Sequence, residues 1–288
     1  MSIELETPAV GGLEMVAARL AEWQVDGDAV QLHPGDLGWF WRFGPERTAA
    51  AVRTWARDGE ILAVGMLDEA DLLRVAIAPS AQQDDELAQR IAEDVADPAR
   101  GVLVAGKVYL ETPTDSRVRD LLFTAGWELD DPWQPLEREL SEPVEDGGLQ
   151  VELVTPESAA VRVAVQRASF DGSTFSDERW QAMADGTPYA RARCLIGRDR
   201  AGEPVAAVTV WSAGKGRPGL IEPLGVHRLH RGHGYGRAMT LAAAAALREL
   251  GASRAQVITP CFNEGAVATY VSAGFTPLEV RRDQYRPS

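Results

Sequence analysis

The feature that most narrows what this chain can become is a repeat: one order of hydrophobic runs and breakers occurs twice along its 288 residues. The first pass has a helical period at 13–23, strand-like runs at 37–43, 60–66 and 72–77, helix 85–95, strand 107–111, helix 116–125 and strand 132–138. The second pass opens with strand 149–154 and helices 158–169 and 178–184. It continues with strands 192–197, 204–211 and 220–226, helix 234–250, strand 254–259, helix 264–273 and strand 278–285. Local detail repeats as well, since Leu121-Leu122-Phe123-Thr124-Ala125-Gly126-Trp127 mirrors Thr269-Tyr270-Val271-Ser272-Ala273-Gly274-Phe275. Such a duplication predicts two domains of α/β class, each a mixed, mostly antiparallel sheet flanked by helices on both faces. The stretch 141–148, with Pro, Asp, Glu and Gly and no apolar period, reads as the linker, and a boundary near 145 gives domains 1–145 and 146–288.

The passes differ most where an anion would bind. In the second, the strand Leu220-Ile221-Glu222-Pro223-Leu224-Gly225-Val226 leads through Arg231-Gly232-His233-Gly234-Tyr235-Gly236-Arg237 into a long helix. Glycines let successive backbone N–H groups converge without a Cβ in the way, and the helix start adds free donors and the positive end of its dipole. Arg231 and Arg237 flank this nest with charge, a combination suited to a pyrophosphate. A dinucleotide-binding turn is excluded, because the sixth position counted from Gly232 is Arg237 and from Gly234 is Met239. No Gly-Lys-Ser/Thr follows, which excludes a P-loop. The equivalent place in the first pass, 76–87, has no glycine and carries Asp84, Asp85 and Glu86, which suit a helix start but repel phosphate. The first domain is therefore expected to be degenerate, without a cofactor loop, and to support the second or to wall its substrate cleft.

The spacing Arg231-x-x-Gly234-x-Gly236 between strand and helix resembles the acyl-CoA pyrophosphate loop of the GNAT superfamily of N-acetyltransferases. Asn263, Ala266, Tyr270 and Gly274-Phe275 resemble that family's next signature, an Asn opening a helix that carries a Tyr and ends in Gly-Phe. With the order of elements, the likeness extends over 150–285, and the tandem arrangement is similar in architecture to mycothiol synthase and its relatives. The resemblance implies acetyl-CoA as cofactor, with the strands ending at Val226 and starting at Arg254 splayed around pantetheine. Gly225 would ease a bulge, backbone groups of Leu224 and Val226 would pair with the pantetheine amides, and Asn263 would reach the cofactor from the other side. His233 and Tyr235 complete the expected loop contacts.

Acyl transfer to an amine needs a base for the ammonium proton and an acid for the departing thiolate. Glu222, four residues before Val226, is the candidate base; strand alternation puts the two side chains on one face, and desolvation in a cleft would raise its pKa. Tyr270, two helical turns after Asn263, is the candidate acid, the place where the family usually carries its proton donor. The plainer readings are a salt-bridged strand residue for Glu222 and a core residue for Tyr270. His227, His230 and His233 lie in polar loop sequence and read as solvated, so no metal is expected. Cys261 has no adjacent His or Asp to activate it.

Composition bounds the partners. A formal charge of −14 opposes non-specific nucleic-acid binding and mildly favours cationic ligands such as amines. Two cysteines cannot build a disulfide framework. The acidic start Met1-Ser2-Ile3-Glu4 is unlike a signal peptide, and 238–247 is too short to span a bilayer, so a cytoplasmic protein without membrane partners is expected. The reading is an N-acetyltransferase acting directly on a primary amine of a small molecule. The alternative is a non-catalytic acyl-CoA-binding or regulatory module, and longer acyl groups and peptide acceptors are also compatible with these residues.

Overall fold

A computed structural model describes residues 2–287. From the N-terminus run β1 (Glu4–Glu6), α1 (Leu13–Glu22), α2 (Pro34–Phe40), α3 (Pro45–Ala51), β2 (Val52–Arg57), β3 (Glu60–Glu69), β4 (Leu72–Ile77), α4 (Asp85–Ala96), β5 (Val108–Glu111), α5 (Arg117–Thr124) and β6 (Glu128–Glu139). There follow β7 (Gln150–Leu153), α6 (Ala159–Ser169), α7 (Asp177–Ala184), β8 (Ala192–Arg198), β9 (Pro204–Ser212), β10 (Gly219–Val226), α8 (Tyr235–Glu249), β11 (Arg254–Pro260), α9 (Glu264–Ser272), the two-residue β12 (Thr276–Pro277) and β13 (Arg281–Arg286). The class is the expected one, mixed α/β with a mostly antiparallel sheet flanked by helices.

The chain forms two compact units, and they interleave in sequence where a single cut near 145 would not: 1–33, 45–133 and 280–288 make the first, 34–44 and 134–279 the second. In the first unit the strands lie in the order β1-β2-β3-β4-β5-β13-β6, with β4 and β5 parallel. The final strand, expected at 278–285 as part of the second domain, is β13, seated between β5 and the first half of β6. Arg281 explains its place. Only 4% exposed, it makes ion pairs with Glu111 (3.2 Å) and Asp283 (2.6 Å), while Arg74 holds the other oxygen of Glu111 at 2.7 Å. Burial alone would raise the pKa of Glu111, but Arg281 and Arg74 outweigh it and hold the carboxyl down at about 2. The first-unit counterpart of the glycine loop is closed by its own side chain: Asp84 caps α4 by accepting from the Leu87 N–H (2.9 Å) and pairs with Arg57 (2.7 Å).

In the second unit the order is β6-β11-β10-β9-β8-β7. Alternation along β8 sends Cys194 and Ile196 to the face covered by α6 and α7, with Trp180, Met183 and Trp211, and sends Leu195 to the opposite face. There α8 lays Ala243, Ala244 and Leu247 against Val208, Val210 and Ile221, so the alanine run is close helix-on-sheet packing, as expected. The expected strand at 37–43 is helix α2 followed by a 3-10 turn, Trp41–Phe43. Pro34 suits a first helical turn and Asp36 its dipole. Gly38 lies against Trp211, whose ring a Cβ would meet at 2.3 Å, so this approach needs the bare backbone. Trp41 and Trp55 are core residues, 6% and 0% exposed.

Candidate functional site

Strand β10 leads into the site and carries an irregularity that shapes it. Between Ile221 and Leu224 it advances three residues while β9 advances two, from Val210 to Val208. The extra residue falls at Glu222-Pro223, a bulge that proline occupies readily because it has no N–H to give to the ladder. The indole of Trp211 donates to the Glu222 carbonyl at 2.7 Å and fixes it. Two expectations are corrected here: the bulge is not at Gly225, and the extra residue resets the alternation that put Glu222 on the face of Val226. Gly225 serves a different purpose. A Cβ there would stand 2.6 Å from the Cβ of Ser169 and 2.8 Å from the Phe170 ring, so its absence lets the end of α6 close on the strand.

The parallel register of β10 with β11 consists of Gly219↔Ala255 and Leu220↔Gln256, and no further pair joins them among the described residues. Beyond that point lies a cavity of about 820 Å³. Leu224, Gly225 and Val226 line one side of it, and Asn263 and Tyr270 the other. Arg231, Gly232, Gly234, Tyr235, Gly236 and Arg237 line its end. Gly232 and Gly234 have φ of +80° and +81°, and Gly234 is the left-handed N-cap of α8. The first bond of that helix runs from the Ala238 N–H to the Gly234 carbonyl (3.1 Å), so the amides before Ala238 have no carbonyl one turn back to bond. Gly236 lets α9 approach, its missing Cβ falling 3.0 Å from the Thr269 methyl.

The flanking arginines are braced as well as charged. Arg231 donates to the Ser169 carbonyl (2.7 Å), and Arg237 to the Ser272 carbonyl (2.8 Å) and Glu145 (3.3 Å). His233, expected to touch cofactor, is not in the cavity lining; it stacks on Tyr235 with centroids 5.8 Å apart, its Nδ1 2.9 Å from the Arg231 carbonyl. His227 accepts from the Leu229 N–H, and burial, helped by His230 and Arg228, pushes its pKa below the ordinary histidine value. Among the described residues no three His, Cys, Asp or Glu side chains come together as a metal site.

Asn263 opens α9 as expected, but its side-chain oxygen is spent as the cap, accepting from the Ala266 N–H at 3.3 Å. Seven residues on, Tyr270 is 7% exposed and packs on Phe275, with ring centroids 5.9 Å apart. It is at once a core residue and part of the cavity wall. Burial, and after it the negative charge of Glu222, push the Tyr270 hydroxyl above the ordinary tyrosine range. Glu222 itself is not in the lining, yet its carboxylate lies near enough for Tyr270 to sense it. Ser169, Thr269 and Ser272 also line the cavity, and sequence reasoning missed all three. For Ser169 and Thr269 the only signal was indirect: Gly225 and Gly236 had to face something close.

Residues 163–275 match the model of the acetyltransferase (GNAT) family. A tandem GNAT protein from the clavulanic acid biosynthesis pathway has 16% identity, a TM-score of 0.63 and full coverage of both chains. An acetyltransferase of the GNAT family from Colwellia psychrerythraea is 15% identical, with TM-score 0.61 and full coverage of both chains. A GCN5-related N-acetyltransferase from Sphaerobacter thermophilus is 18% identical, with TM-score 0.59 over 99% of this chain and 95% of that one. At these identities the likeness is one of fold. No curated protein matches the chain by sequence.

Proposed function

With residues 163–275 belonging to the acetyltransferase (GNAT) family, we propose that the second unit transfers an acetyl group from acetyl-CoA directly to a primary amine of a small molecule. The observation that carries this reading is one cavity joining the glycine-lined start of α8, the end of β10, where no pair with β11 is made among the described residues, and a buried tyrosine. The residues fit the cofactor. Amides at Gly232–Arg237 would hold the diphosphate, Leu224 and Val226 the pantetheine arm, and the bare Cα positions of Gly225 and Gly236 keep the cradle open. Acetyl-CoA, when bound, supplies an activated acyl group and a thiol leaving group.

The protein's own part is proton handling. Tyr270, held protonated far above neutral pH, keeps a proton to give to the leaving sulfur. Glu222 takes the proton of the ammonium, directly or through water, from its place in the bulge. The first unit is the degenerate copy and does not use CoA, because Asp84 already fills its helix start and would repel a phosphate. The domain boundary near 145 is kept as the point where the two copies join, distinct from the interleaved compact units. A second reading, a non-catalytic CoA-binding module, draws on one observation: Glu222 lies outside the cavity lining.

A panel of amines with acetyl-CoA, followed by thiol release, tests the proposal. Turnover of at least one amine, reduced in Glu222→Gln, is expected. Binding of acetyl-CoA with no turnover across the panel would favour the second reading, and undiminished turnover in Glu222→Gln would remove that residue from the mechanism.

A further inference from the structure

Beside the large cavity lies a smaller one of about 240 Å³, its walls entirely within the second unit. That is about eight times the share of a water molecule in the liquid, ~30 Å³, enough for a small polar head group. Phe170 lines both cavities, so they adjoin at that ring. One wall is the end of α2 and its following turn, with Trp39, Arg42 and Phe43. The other is the end of α6, the loop after it and the first turn of α7, with Gln166 and Arg179.

The aromatic rings form a backing for two cations. Trp39 and Phe175 stand 5.3 Å apart at their centroids, the Arg42 guanidinium lies 4.3 Å over Trp39 and 4.3 Å over Phe43, and that of Arg179 lies 5.1 Å over Phe43. Arg179 uses one terminal nitrogen on Thr174, donating to its hydroxyl and, at 3.0 Å, to its carbonyl, and pairs with no acid among the described residues. The rest of its planar fork matches a carboxylate. Gln166 adds a neutral donor. It is 5% exposed, and its oxygen accepts from Nη1 of Arg162 at 2.8 Å. Arginine has only donors to offer, so this bond fixes the orientation of the amide and leaves its NH₂ on the other side. The one acid of the lining, Asp171, is held by Arg228 at 2.9 Å. In a chain of net charge −14, Arg179 brings to this pocket a cation that no acid among the described residues holds, and over a Debye length of about 8–10 Å local charge outweighs the distant field.

The geometry points to a carboxylate subsite: Arg179 and Gln166, backed by Arg42, bind the carboxylate of the acceptor, which is therefore a small amino acid whose amine extends past Phe170 into the large cavity. This deepens the proposed acyl transfer and rests on it for the position of the amine. The fork of Arg179 selects against neutral amines of the same shape, whose binding would leave its N–H groups without an acceptor.

The test uses the whole protein loaded with CoA and a set of L-amino acids, each paired with its carboxamide. Thermal stabilisation reads binding independently of turnover. At least one amino acid is expected to raise the melting temperature where its carboxamide does not, with affinity falling about ten- to a hundredfold in Arg179→Gln and retained in part in Arg179→Lys. Equal stabilisation by acid and amide, no stabilisation by any acid, or an unaltered response in Arg179→Gln overturns the subsite. The two proposals separate cleanly. Acids that bind in this pattern without being acetylated leave the subsite standing and count against transfer, whereas carboxamides acetylated as fast as acids leave transfer standing and remove the subsite.

Discussion

Tyr270 is a core residue to which the proposed mechanism also gives a chemical part. Its ring belongs to the core, and the same burial that packs it, with Glu222 adding to it, holds its proton. Replacing it with phenylalanine keeps the ring and removes the hydroxyl, so folding and CoA binding should persist while kcat falls by about 10²–10⁴, the usual worth of a positioned acid. The pH profile carries the same signature. A tyrosine whose folded pKa lies above its ordinary value stays protonated through neutral pH, so no loss of rate from Tyr270 is expected until the pH passes the ordinary tyrosine range. A rate that fell with a pKa near neutral and lost that limb in Tyr270→Phe would contradict the assignment. By the same linkage, the stability contribution of this group is complete below the unfolded tyrosine value and is lost as pH rises toward the folded one. Glu111 runs the other way. Its folded pKa, about 2, lies below the unfolded value, so its contribution is present above the ordinary glutamate range and is lost as pH falls toward the folded pKa. Glu111→Gln leaves Arg281 and Arg74 buried without that charge and should cost about 3–5 kcal/mol in urea unfolding near neutral pH.

At the scale of elements, the site is made by helices allowed to come close to a strand and a loop. Gly225 admits the end of α6 and Gly236 admits α9. Alanine at 225 meets Ser169 at a distance no Cβ tolerates, so Gly225→Ala should destabilise by about 1–3 kcal/mol and weaken CoA binding, seen in denaturant melts and in calorimetry. These contacts also mark what the sequence could tell. The glycine spacing and the helix after it were readable because an anion nest needs that backbone chemistry in consecutive residues. What faced the glycines was not readable, because Ser169 is distant in sequence from Gly225, as Thr269 is from Gly236, and nothing in their own neighbours points at them. Strand alternation failed at Glu222 for a related reason: a bulge inserts a residue that periodicity cannot count. The aromatic run 39–43 has strand propensity, yet Pro34, Asp36 and the fit of Gly38 against Trp211 make helix α2 of the residues before it. Strands β1 and β2 and helix α3 were absent from the reading, being short and without a clear period.

At the scale of the whole molecule, the repeated order of elements was legible and the interleaving of the two compact units was not. Element order and the paired 121–127 and 269–275 segments carry through both halves, but which segment completes which unit depends on buried partners such as Glu111 for Arg281. The proposal parts the two copies at their helix starts: one is capped by Gly234 without a side-chain hydrogen bond, the other by Asp84. No helix among the described residues is long and apolar enough to cross a membrane. The most direct test of this division is a crystal structure of the protein with coenzyme A. The account predicts the diphosphate on the amides of Gly232–Arg237 at the start of α8 and the pantetheine along Leu224 and Val226. A diphosphate at Asp84–Leu87 in the first unit, or a cavity left without ligand at saturating CoA, would contradict it.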